Sequence, residues 1–294
     1  MKLFRSLLFV PSAKNELFRK ALACRPDGII FDLEDSIGSV SGKSLGRANI
    51  TKFMSDCPTN SRPPIFIRVN DLESSFLLQD LECVLASNCN GVMFPKVNSA
   101  ADIHFASRLL KTMEIIHGED NVKQIIPLIE SAEAVMNCYE IAKASDRIIG
   151  LAFGGEDYLA STLAVTEHDE RAFDFPRATI LNSARAVGIA SIDTVQPRVR
   201  DDCRLEEVVA ASANFGFDGM MCLTPGQVSI ANSGYSLSKK QMSEINEILS
   251  KSEANDDQID FTISVSKRLG FIGPPMIRAA KNRKDKRSAN EEET

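Results

Sequence analysis

Eight short apolar runs, recurring with helical stretches between them, constrain this chain more than any other feature of its sequence. They are Ser6–Pro11, Gly28–Glu34, Ile65–Asn70, Gly91–Val97, Ile125–Glu130, Ile148–Phe153, Ile192–Pro197 and Gly219–Pro225. All are rich in Ile, Val, Leu and Phe, the pattern of parallel strands covered on both faces. Between them, apolar residues repeat with helical period, as in Leu17, Phe18, Ala21 and Leu22. The same period appears in Ile103, Ala106, Leu109, Leu110 and Met113, behind a Ser99/Asp102 capping pair. Eight such repeats predict an α/β fold of the (β/α)8 TIM-barrel type, with a C-terminal helical extension, rather than an open doubly wound sheet. A dinucleotide-binding sheet would also need G-x-G-x-x-G after its first strand, where this chain reads Val-Pro-Ser-Ala-Lys.

The pattern sets three segments. Residues 1–235 are the expected catalytic barrel. Residues 236–280 form the extension, opened by a Ser238-Lys-Lys-Gln241 capping box and an amphipathic stretch through Met242, Ile245, Ile248 and Leu249. Residues 281–294 are almost wholly charged or polar and are expected to be a disordered tail. Charge then narrows the partners. With 34 basic against 40 acidic side chains and a net charge of −6, the chain lacks the clustered basic surface of a nucleic-acid binder. No apolar run approaches the roughly 20 residues of a membrane span. The start, Met1 to Pro11, imitates a signal peptide only faintly, because Arg5 and Ser6 interrupt it. A cytoplasmic protein with no membrane partner is expected. Its seven cysteines contain no C-x-x-C and read as buried, reduced thiols.

In a barrel of this kind, chemistry sits at the C-terminal ends of the strands. Polar residues stand there in a coherent set: Asp32, Glu34 and Asp35 at the end of run two, Arg68 and Asn70 at the end of run three, Lys96 of run four, Glu130 of run five, and Glu156 and Asp157 just beyond run six. Carboxylates from adjacent strands can hold a hard divalent cation while an Arg binds developing negative oxygen. Glu130 and Asp157 have a plainer alternative as helix N-terminal carboxylates facing the macrodipole. Two glycines before Glu156-Asp157 let the backbone turn sharply or approach a ligand closely, which a cap does not require. Arg68 is expected to need an anionic partner, because an uncompensated guanidinium at the rim is expensive. Asp32, Glu34 and Asp35 alternate along the chain, so they cannot all face one way. Lys96 is open between phosphate binding, ion pairing and Schiff-base chemistry. His104, His117 and His168 lie away from strand ends, and no His-centred triad emerges.

At these residues the chain resembles the HpcH/HpaI aldolase and citrate lyase superfamily, in its citrate-lyase-β-like branch, over about residues 4–235. The motifs are Arg5-Ser-Leu-Leu-Phe-Val-Pro11, Phe31-Asp-Leu-Glu-Asp-Ser36 followed by Lys43 and Arg47, Ile67-Arg-Val-Asn70, Phe94-Pro-Lys-Val97, Pro127-Leu-Ile-Glu-Ser131, Phe153-Gly-Gly-Glu-Asp157 and Gly216-Phe-Asp-Gly219. The resemblance implies a Mg2+-dependent enzyme, with Mn2+ as the alternative ion. It also implies a homotrimer that makes or breaks a carbon–carbon bond of an acyl-CoA such as a malyl, citramalyl or citryl thioester. Carried over by position, Glu130 and Asp157 are the metal ligands, and Arg68 contacts the substrate carbonyl or enolate. Glu34 and Asp35 are the remaining candidates for proton transfer. Arg68, Lys96, Asn70 and Thr224 are the candidate contacts to a substrate, which is an acyl-CoA or a small 2-oxo or hydroxy acid.

Two positions depart from that pattern. Thr224-Pro-Gly-Gln227 stands where relatives read His-Pro-x-Gln, and Phe271-Ile-Gly-Pro-Pro275 stands where lyases of the branch carry Met-Ile-Asp-x-Pro. Gly273 cannot transfer a proton, and Asp260 is a weaker substitute than Glu34 or Asp35. Two other expectations therefore stand beside the lyase: a catalytically reduced CoA-ester-binding or assembly subunit, and an aldolase of free 2-oxo acids.

Overall fold

A computed structural model describes residues 4–57, 62–165, 170–197, 202–236 and 243. Its eight strands are β1 (Ser6–Pro11), β2 (Gly28–Asp32), β3 (Ile65–Arg68), β4 (Gly91–Phe94), β5 (Gln124–Ile129), β6 (Gly150–Phe153), β7 (Ala190–Asp193) and β8 (Gly219–Cys222). Each pairs in parallel with the next, and β8 pairs with β1, so the sheet closes on itself as a (β/α)8 barrel. Six of the eight apolar runs contain their strand, while β5 and β7 begin before their runs, at Gln124 and Ala190, and several strands stop earlier than the run does. Asn70 and Lys96 consequently sit beyond strand ends, on the connecting segments, while Asp157 lies in the first turn of the helix that follows β6.

The runs are continuous rather than alternating because both strand faces are covered. Leu7, Ile30, Phe66, Met93, Ile126, Ala152, Ile192 and Met221 fill the barrel interior. Their neighbours in sequence, such as Leu8, Ile29, Phe31, Ile65, Ile67 and Val92, pack outward against the helices. These helices are α1 (Phe18–Ala23), α2 (Val40–Asp56), α3 (Leu77–Ala86), α4 (Ala100–His117), α5 (Ala132–Met136), α6 (Cys138–Ala142), α7 (Gly155–Thr162), α8 (Asp174–Val187), α9 (Asp202–Phe215) and α10 (Pro225–Gly234). The expected capping box opens α4: Ser99 accepts from the Asp102 N–H while the Asp102 carboxylate accepts from the Ser99 N–H. The left-handed Gly118 closes the same helix.

The barrel unit comprises Phe4–Tyr235. The expectations for the extension and tail, with Asp260 and Gly273, lie outside the described residues, as does His168. No described helix is long and apolar enough to cross a membrane. All seven cysteines are free. Cys203 is exposed and Cys24 and Cys57 are half-buried, which corrects the expectation that all are buried. Burial pushes the Cys138 thiol up to about 11, far from the thiolate form that reacts.

Candidate active site

Side chains along a strand alternate between faces, so the residue two beyond each interior apolar side chain tends to point into the barrel mouth. Asp32 follows Ile30 in this way, Arg68 follows Phe66, Glu130 follows Leu128, and Gly154 follows Ala152. A cavity of about 410 Å³ opens there. Asp32, Asp35, Arg68, Glu130, Glu156 and Asp157 line its polar side, and Phe9, Leu128, Val195 and Met221 its apolar side.

Arg68 has the anionic partner that its placement demands. Its Nε lies 2.7 Å from Asp32 Oδ1 and its Nη2 2.8 Å from Asp32 Oδ2, a two-pronged pair between adjacent strands. Nη1 lies 3.0 Å from Glu34 Oε2 and 3.2 Å from Asp35 Oδ2. The guanidinium also stands 4.8 Å from the centre of the Phe9 ring, which fixes its plane from below. Burial alone would raise Asp32, but its hydrogen bonds from Arg68 and that residue's charge hold it below the usual carboxylate range. Asp35 is the exception in the cluster: its side chain is 59% exposed, so its bond to Nη1 is the one an incoming oxygen can replace.

Glu130 is built differently. It is 4% exposed, and the Lys96 N–H donates to its Oε1 at 2.6 Å. Lys96 is in the left-handed region, at φ 53°, which aims that N–H at the carboxylate. No Lys or Arg side chain pairs with Glu130 among the described residues. Burial, reinforced by the charges of Asp157 and Glu34 against the opposing Lys96 bond, raises its pKa to about 8. Gly154 makes room for it, since a Cβ there would stand 2.5 Å from Glu130 Cβ and 2.6 Å from Oε2. The φ of Gly154 is −89°, so close approach and not a left-handed turn requires the glycine.

A desolvated carboxylate lacking a cation, beside a second carboxylate on the same cavity, fits a hard divalent ion. Such ions take one or two carboxylates and complete their shell with water and substrate oxygens. No group of three or more His, Cys, Asp or Glu forms a closed metal cage among the described residues. The arrangement therefore suits an open site held by Glu130 and Asp157. Asp157 lies in the first turn of α7 beside Glu156, so the helix-terminal reading of this carboxylate also holds.

The other sequence candidates stand elsewhere. Glu34 is buried beside Arg68 and does not line the cavity; its Oε1 forms an ion pair with Lys96 Nζ at 3.0 Å. Burial raises the Glu34 pKa above its usual value against the lowering charge of Arg68. The Lys96 head is half exposed and committed to this pair. Asn70 is buried and is not among the residues that line the cavity. Its amide donates to Leu33 O and Asp80 Oδ2, and its oxygen accepts from Lys43 Nζ. Thr224 caps α10 by accepting from the Gln227 N–H, which gives the divergent Thr-Pro-Gly-Gln motif a local structural use. Sequence reasoning missed Phe9 and Thr194, although both were within reach of the period-two count, two residues beyond the interior Leu7 and Ile192.

Comparison with known proteins agrees with this fold. The profile of the HpcH/HpaI aldolase/citrate lyase family matches residues 5–225. Citrate lyase subunit beta of Haemophilus influenzae is 29% identical over 282 residues, 96% of each chain. L-malyl-CoA/beta-methylmalyl-CoA lyase of Cereibacter sphaeroides is 28% identical over 270 residues, covering 85% of this chain and 84% of that one. Among solved structures, protein CitE from Mycobacterium tuberculosis in complex with magnesium and pyruvate aligns with a TM-score of 0.66 and 27% identity, over 81% of this chain and 92% of that one. With its barrel matched from β1 to the start of α10, the chain belongs to the HpcH/HpaI aldolase/citrate lyase family.

Proposed function

We propose that this chain is a Mg2+-dependent carbon–carbon lyase. Its substrate class is a 3-hydroxy-3-carboxylate-type acyl-CoA, a citramalyl, malyl or citryl thioester, which it cleaves to acetyl-CoA and a 2-oxo acid. The observation that carries the reading is the paired Glu130 and Asp157 on the same small cavity as Arg68. The magnesium in the related pyruvate complex and the malyl-CoA lyase among the relatives support it.

Glu130 and Asp157 would hold the cation, which supplies Lewis-acid polarisation of the substrate's carboxylate and hydroxyl oxygens. Asp35, exposed on the cavity wall, takes the hydroxyl proton as the carbon–carbon bond breaks. The bonding pair leaves on the thioester fragment as an enolate, and the new carbonyl remains on the acid fragment. Arg68 Nη1, released from Asp35, donates to the enolate oxygen, while Asp32 holds the Nε–Nη2 edge of the guanidinium in place. Glu34 stays with Arg68 and Lys96 as their counter-charge.

One sequence observation favours a second reading, a CoA-ester-binding or assembly subunit with reduced catalysis. Gly273 occupies the position of the branch's proton-transfer Asp and lies outside the described residues. The purified protein with Mg2+ and citramalyl-CoA or malyl-CoA, followed by release of pyruvate or glyoxylate, separates the two. Release that EDTA abolishes supports the lyase. No release by the wild type together with release by Gly273→Asp supports the second reading.

A further inference from the structure

Helix α7, which carries Asp157, has no cap of its own. Helices α2, α4, α5 and α10 each begin with a Ser or Thr that accepts one of the helix's first N–H groups. At α7 the cap position is Gly154, which has no side chain to offer. A Ser, Thr or Asp cannot replace it, because any Cβ there would collide with Glu130. The first N–H of the helix, on Gly155, instead donates 2.9 Å to Thr194 Oγ1 just beyond β7. Gly155 is itself fitted to that partner, since a Cβ on it would lie 2.7 Å from the Thr194 oxygen.

Thr194 is 2% exposed, and the residues behind it are braced. Its N–H donates to Asp193 Oδ1, which also accepts from Arg177 Nε. Asp193 Oδ2 accepts from Ser212 Oγ at 2.6 Å, and that hydroxyl accepts from Tyr235 at 2.7 Å. This chain of buried groups gives the Thr194 hydroxyl a fixed place from which to hold the start of α7.

We propose that Thr194 is a positioning residue for the carboxylate pair: from the neighbouring strand it caps α7 and so sets where Asp157 stands relative to Glu130. The proposal rests on the reading of Glu130 and Asp157 as metal ligands, and its test distinguishes the two. Thr194→Val removes the acceptor at nearly constant shape, and Thr194→Ser keeps it. Calorimetric titration of Mg2+ into the full-length protein should show weakening by roughly 10–100-fold in the Val variant, the usual cost of losing a group that orients a ligand. The Ser variant should stay within about threefold of wild type. Hydrogen exchange of the peptide spanning 154–162, measured without metal, should accelerate in the Val variant and not in the Ser variant. Unchanged exchange in Thr194→Val overturns the proposal. So does Mg2+ affinity within twofold of wild type in Thr194→Val while Asp157→Ala loses binding. If Asp157→Ala binds Mg2+ normally, the metal reading falls by itself, and the exchange measurement decides the cap.

Discussion

Gly154→Ala tests whether Glu130 is held by contact with the β6–α7 turn. The substitution adds one methyl at φ −89° and ψ 76°, a backbone conformation that alanine tolerates, so any effect comes from packing. That methyl would stand 2.5 Å from Glu130 Cβ, 2.6 Å from Oε2 and 3.3 Å from Leu128 Cγ. Glu130 cannot simply swing away, because its Oε1 is tied to the Lys96 N–H at 2.6 Å. Overpacking of this kind costs about 1–3 kcal/mol. In a unit of this size each kcal/mol lowers Tm by roughly 2–4 °C, so 2 kcal/mol gives a fall of roughly 4–8 °C. The displaced carboxylate should also weaken Mg2+ binding by roughly 10–100-fold. Gly38→Ala is the control: nothing lies within 4 Å of its added methyl, and its stability should stay within about 0.5 kcal/mol of wild type. Scanning calorimetry and Mg2+ titration of the three proteins settle the matter. A Gly154→Ala protein that melts and binds Mg2+ like wild type refutes the reasoning.

Arg68→Met leaves Asp32 as a buried, unpaired carboxylate, so urea denaturation should show a loss of about 3–5 kcal/mol. Turnover should fall by roughly 100–1,000-fold as the enolate donor disappears, and Arg68→Lys should not restore it because an ammonium cannot span both Asp32 oxygens. Lys43→Met leaves Asn70 Oδ1 as a buried acceptor without its donor, while Leu33 O keeps the Asn70 amide and Glu34 O the Ile37 N–H; a loss of roughly 2 kcal/mol in the same assay is expected. In EDTA, stability should depend on pH on two sides. Glu130, raised from 4.5 to about 8, contributes stability that is complete at low pH and lost as pH climbs through about 8. Asp32, held below its ordinary 3.8, contributes stability that is present above that value and lost as pH falls further. Tm should therefore peak in mildly acidic buffer. Mg2+ should lift the alkaline side, and a flat EDTA profile between pH 5 and 8 contradicts the Glu130 assignment.

The barrel was legible in the sequence because strands buried on both faces leave unbroken apolar runs, which nothing else in a chain of this length needs eight times. The strand ends were less legible. Apolarity continues through Leu33, Val69 and Val97 after the ladders stop, since those side chains still pack under the loops. That Arg68, Glu130 and Asp157 reach one cavity could be read because the fold gathers the residues after each strand at the barrel mouth. Asn70 could not be separated from them, because the partners that withdraw it, Lys43 and Asp80, come from two different helices. Lys43 itself carries three buried acceptors, a role that no pattern local to α2 announces. Gly154 and Gly155 read either as a sharp turn or as room for a ligand, whereas the groups that approach them, Glu130 and Thr194, are set by neighbouring strands.

The central claim is that Glu130 and Asp157 share one divalent cation at the barrel mouth opposite Arg68. Crystals soaked in Mn2+ and measured at its absorption edge test it directly. The account predicts one anomalous difference peak bonded to a carboxylate oxygen of each residue. A peak held by other residues, or none at saturating Mn2+, contradicts it.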